Sequence, residues 1–124
     1  MSDGDPIPGA IALEVDRIFP GAPTPRSIQV LAHSPVDCPS RATFSDMTYY
    51  STTSHAGVFD VSSQGWFTKL RCGVPVATVD CDQRAVTITR NVLLAFGTGP
   101  AGDVHPSVAN ASSFGYTLTD PTDP

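Results

Sequence analysis

The chain has 124 residues, enough for one domain and too few for two. Its net charge of −5 and seven scattered Lys and Arg exclude a nucleic-acid binder, which needs a basic face to neutralise phosphates. The longest apolar run is Val92 to Phe96, far short of the about 20 residues of a membrane span.

The N-terminus is acidic and proline-rich rather than basic and then apolar, so no signal peptide is visible and the cytoplasm is favoured. Residues 1–8 and 108–124 are read as extended tails, because Pro, Asp and Gly cluster there. Residues 9–107 are left as the folded segment.

Residues 9–15 are a short apolar run interrupted by Glu14, which predicts a buried strand. Pro20, Pro23 and Pro25 then force a turn or extended loop. Residues 27–32 alternate, with Ile28, Val30 and Ala32 on one side, and predict a second strand. His33-Ser34-Pro35 ends it, and residues 36–42 read as a loop. Residues 47–51 are β-branched and aromatic and predict a third strand. Residues 57–61 and 66–70 predict two more strands, joined by Ser62-Ser63-Gln64-Gly65 with Gly65 free to take a positive φ.

A helix closes the order. Asp80 or Asp82 caps it, and Cys81, Ala85, Ile88, Val92, Ala95 and Phe96 share one face at three- and four-residue spacing. Gly97 stands where a glycine C-cap belongs, and Pro100 prevents continuation. Gly97 to Gly102 satisfies the letters G-x-G-x-x-G. It follows a helix rather than a strand, and Pro100 lacks an N–H donor, so the helix-exit reading wins over dinucleotide binding.

Several side chains invite chemistry. Glu14 lies between Leu13 and Val15 and faces the opposite way along a strand. An exposed place or an ion pair with Arg17 is the ordinary reading; a central strand would make it an active-site carboxylate. Tyr49 and Tyr50 point to opposite faces, so at most one reaches a given site. His33, His55 and His105 lack metal-ligand spacing. Cys38 is followed by Pro39 and by no helix pattern, and no G-x-S-x-G elbow exists. Three cysteines cannot all pair within one chain, and thiols at Cys72 and Cys81 are favoured over a loop-closing disulfide. Asn91 is expected half-buried, and Asp46 with Arg90 is expected to lock the helix onto the strands.

A string of short motifs in fixed order carries a family resemblance. It runs through Gly9-Ala10-Ile11-Ala12-Leu13-Glu14-Val15-Asp16-Arg17, Ser45-Asp46-Met47-Thr48-Tyr49-Tyr50, His55-Ala56-Gly57-Val58-Phe59 and Gly65-Trp66. It closes with Thr89-Arg90-Asn91 leading into residues 97–106. Over roughly residues 7–107 the chain resembles the C-terminal end of the large-subunit domain of N,N-dimethylformamidase and its relatives. The resemblance implies an α/β fold, the C-terminal portion of a glutamine-amidotransferase-like three-layer domain: a mostly β layer with one C-terminal helix. It implies metal-dependent hydrolysis of a small amide, with iron held by tyrosine phenolates and a carboxylate. Those ligands fall upstream of the matched segment, so no cofactor is expected within this chain and none of its residues is assigned to metal. Glu14 is the candidate catalytic carboxylate, and Tyr50 and His55 are candidates for lining the substrate pocket. The segment is expected to be inactive alone and to meet another protein chain, or its own copies, through an open sheet edge. The alternative is a noncatalytic assembly module that uses the same edge.

Overall fold

The computed structural model describes residues 4–73 and 81–124. Its class is α/β, with strands and helices mixed along the chain. Two strands dominate: β2 at Gln29–Cys38 and β3 at Arg41–Ser51. They pair antiparallel from Gln29↔Tyr49 to Cys38↔Arg41, leaving Pro39-Ser40 as a two-residue turn. The expected loop at residues 36–42 is therefore the tip of a long hairpin. Pro35 is tolerated because β2 is an edge strand, where a missing donor costs no ladder bond. β4 at Gly57–Asp60 pairs antiparallel with β3 on its other side, from Thr48↔Asp60 to Ser51↔Gly57. A separate parallel pair joins β1 at Thr24–Pro25 to β5 at Pro121–Thr122.

The expected strand at residues 9–15 does not form. Ala12 and Glu14 bridge each other across Leu13, which takes φ 69° and is 96 % exposed. Side-chain chemistry holds this turn in place of a ladder. Ser63 Oγ accepts from the Ala12 N–H at 3.0 Å and sits 2.8 Å from the Glu14 carbonyl. The turn leads into Asp16, whose carbonyl accepts the Asp46 N–H at 2.9 Å, beyond the reach of β4.

The expected strand at residues 66–70 is instead a short helix, α1, at Gly65–Thr68. The reversal falls on Ser62 at φ 64°, not on Gly65. Gly65 is required for space: a Cβ there would stand 2.6 Å from the Ala10 carbonyl oxygen. Trp66, 3 % exposed, points its indole N–H at Thr89 Oγ1, 2.9 Å away.

Thr89 belongs to α2, Gln83–Gly97, the expected long helix. Asp82 caps it by accepting the Arg84 N–H at 2.9 Å; Asp80 lies outside the described residues. Gly97 is the last helical residue, and the positive φ falls on Gly99 at 135°. Asn91 and Arg90 are exposed, so Asn91 is not half-buried and Arg90 does not pair with Asp46. Cys72 and Cys81 are bonded to each other with Cα atoms 5.1 Å apart, against the expectation of thiols. Cys38 is free.

A short helix α3, Ala101–Val104, follows and packs its Gly102 against the β3–β4 turn. The segment after residue 107 is extended in parts, but it is docked. A 3-10 turn at Ala111–Phe114 places Ala111, Tyr116 and Leu118 against Ile18, Ile28 and Val30. Asn110 closes the start of the β2 edge: its Oδ1 accepts the Val30 N–H at 2.6 Å and its Nδ2 donates to the Val30 carbonyl at 2.9 Å.

Candidate functional site

Cross-strand partners share a face of a sheet. Ala32 with Met47, Ser34 with Ser45, and Tyr49 with Phe59 therefore face one way. Val30 with Thr48, and His33 with Asp46, face the other.

The His33–Asp46 face is built around a buried carboxylate. Asp46 has no exposed side-chain surface and accepts three hydrogen bonds. The Ile18 N–H donates to Oδ2 at 2.9 Å, the Tyr116 hydroxyl to Oδ2 at 2.5 Å, and His33 Nδ1 lies 2.6 Å from Oδ1. Burial, and then the Asp46 carboxylate, push the Tyr116 phenol well above its usual range. Phe44 stacks on the His33 ring at 4.0 Å, and Tyr116 meets it edge-on at 6.0 Å. Sequence reasoning missed this hub. Its one legible signal is Asp46 as the single carboxylate of a strand rich in Thr, Tyr and Phe, which has to find donors if it is buried.

The opposite face is open. Between the sheet and α2 lies a cavity of about 1390 Å³, lined by Met47, Tyr49, Phe59, Ile88, Val92 and Phe96 among others. α2 is tied at three places along its length. The Asp82 N–H at its start donates to the Lys69 carbonyl at 3.1 Å, Trp66 donates to Thr89 near its middle, and Phe96 near its end crowds Gly57, where a Cβ would meet its ring at 3.0 Å. Five hydroxyl side chains line this cavity, those of Ser34, Ser45, Tyr49, Ser62 and Thr98. Ser45 and Ser62 are the buried ones, 1 % and 4 % exposed, with their Oγ atoms 2.7 Å apart. Tyr49 is already engaged, donating its hydroxyl to the His105 carbonyl at 2.8 Å, and burial raises its phenol pKa.

The sequence-predicted site residues lie outside this cavity lining. Glu14 is exposed at the turn before Asp16. Partial burial, then Asp60, then Glu14 raise the Asp16 pKa. Tyr50 pairs with Val58 and projects from the face opposite Tyr49. His55 sits at φ 66° in the β3–β4 turn, its Nδ1 2.7 Å from Asp103 Oδ1, with both side chains more than half exposed. No hydrogen bond or ion pair among the described residues joins these three. Among the described residues, no three His, Cys, Asp or Glu side chains gather as a metal cluster, and no helix is long and apolar enough to cross a membrane.

Comparison with known proteins returns a family model. Searches of curated proteins and of solved structures found no match. The family model, described as N,N-dimethylformamidase beta subunit-like, C-terminal, matches residues 1–83, from the N-terminal turns through the sheet and α1 to the first residue of α2. The motifs around Glu14, Asp46, His55 and Trp66 all fall inside that span, and the chain belongs to this N,N-dimethylformamidase beta subunit-like, C-terminal family.

Proposed function

We propose that this chain is a C-terminal segment of an N,N-dimethylformamidase-like amide hydrolase, that it supplies one wall of a pocket, and that it does not turn over an amide alone. The open cavity of about 1390 Å³ carries the reading. An apolar interior of that size under one helix fits a part that shares its core with further polypeptide better than a self-sufficient enzyme. In the finer form of the reading, the sheet, with α2 over one face and the C-terminal segment over the other, is the closing part of a glutamine-amidotransferase-like three-layer domain.

Glu14 remains the proposed proton-carrying carboxylate. Its exposure leaves it free to face a substrate held by a further polypeptide, with Tyr50 and His55 at the margin. The iron of the resembled family does not fit the residues described. Tyr116 with Asp46 brings a phenol to a buried carboxylate, but the phenol is donating to it, and both carboxylate oxygens and His33 Nδ1 are already committed. Formate release from N,N-dimethylformamide by the purified chain tests the proposal. No release above the blank is expected, and turnover would refute inactivity alone.

An assembly module is the second reading, favoured by the two edge strands of the three-stranded sheet, of which Asn110 caps only the start of β2, and by Leu93 and Leu94, 66 % and 52 % exposed on α2. Light scattering separates the two readings. Self-association, or a partner recovered with the chain, supports assembly; a monodisperse monomer with no partner counts against it.

A further inference from the structure

The Ser45–Ser62 pair has one more proton than it uses. Each hydroxyl carries one donor and two acceptor lone pairs. At 2.7 Å one hydroxyl donates to the other, and the recipient's own proton has no further acceptor among the described residues. Both side chains are more than nine-tenths buried, and both line the apolar cavity. The position is built and not incidental. Ser62 is held at φ 64° by the turn between β4 and α1, with its N–H on Asp60 Oδ1 at 2.8 Å and its carbonyl accepting the Asp16 N–H at 2.8 Å. Ser45 is fixed in the central strand. A buried donor without an acceptor is costly, whereas an acceptor brought by a ligand satisfies it.

We infer that the cavity between the sheet and α2 binds an apolar molecule bearing a carbonyl, and that the Ser45–Ser62 hydroxyl pair donates to the carbonyl oxygen. The apolar body lies along Met47, Phe59, Ile88 and Val92, and Trp66 stands at the wall as a reporter. The inference stands apart from amide hydrolysis, because it needs only the cavity and the pair.

The test uses the full chain and two naphthalene dyes: 6-propionyl-2-(dimethylamino)naphthalene, whose ketone accepts a hydrogen bond, and 2-(dimethylamino)naphthalene, which lacks it. Titration followed by energy transfer from Trp66 is expected to show the ketone dye binding about fivefold tighter. Ser45→Ala and Ser62→Ala each leave one hydroxyl free to donate and retain most of that preference. The Ser45→Ala/Ser62→Ala double variant removes both donors, and its two affinities become equal. Equal affinities in the wild-type chain, or no binding of the ketone dye, overturn the inference. If the double variant fails to fold, the wild-type spectrum decides: a red-shifted, hydrogen-bonded emission of the bound ketone supports the pair, and a blue emission overturns it. The ketone dye is not an amide, so loss of this site leaves the hydrolase reading intact, and absence of turnover leaves the site intact.

Discussion

On one face of the sheet, a carboxylate with no exposed surface takes three donors, and Ile18, Ile28, Val30 and Ala111 close around it. On the other face, α2 spans a large apolar space that it does not fill, above two hydroxyls with a proton to spare. The same strands serve both faces. The face around Asp46 therefore carries stability and tolerates little change, and the open face has room for another molecule.

That contrast is open to test by substitution, and the largest effect belongs to Asp46. Asp46→Ala leaves Ile18 N–H, the Tyr116 hydroxyl and His33 unpaired, and is expected to cost about 3–5 kcal/mol in urea denaturation. Next comes the Cys72–Cys81 link. A thiol count on unreduced protein should find one, Cys38, and reduction is expected to lower stability by about 2–3 kcal/mol for so short a loop.

A paired substitution separates the faces directly. Val30→Phe overpacks the face around Asp46 and should cost about 1–3 kcal/mol, whereas Met47→Phe projects into free space and should cost less than about 1 kcal/mol. Equal costs would erase the distinction.

The smallest effect is at Asp16, whose raised pKa marks a charge disfavoured in the fold. Such a carboxylate destabilises above its folded pKa and stops doing so once protonated. Asp16→Asn should therefore stabilise slightly at neutral pH, within about 0.5 kcal/mol, and the gain should vanish as the pH falls through that pKa. The half-buried Asp82 runs the other way. Arg84 holds its carboxyl down at about 2, so the stability from this cap is present above pH 4, roughly, and is lost as the pH falls toward 2.

What could be read beforehand was local. α2 announced itself by period and by the Asp82 cap, and the β3 aromatic run by its residue types, because those signals act within a few residues. Residues 9–15 carry the same apolar letters as a strand. What decides their shape is Ser63, some fifty positions later, which bonds the turn at Ala12 and Glu14. Trp66 was misplaced for a like reason, since its partner Thr89 lies on another element. Asp46 was paired with Arg90 to lock the helix onto the strands, because its true partners are spread from Ile18 to Tyr116. The cavity donors were invisible because two serines, 17 positions apart, say nothing until the bend at Ser62, at φ 64°, brings their oxygens together.

Asn110 grips Val30 across 80 positions of sequence, acting as a borrowed rung on the β2 edge. During synthesis, the β2–β3 hairpin is free to zip as soon as it leaves the ribosome, but this clasp has to wait until Asn110, some sixty positions after the end of β3, has emerged. The nascent protein therefore passes through a stage in which the hairpin exists with its Ile28–Val30 side uncovered. In that interval it is most exposed to chaperones, and to pairing with a neighbouring nascent chain.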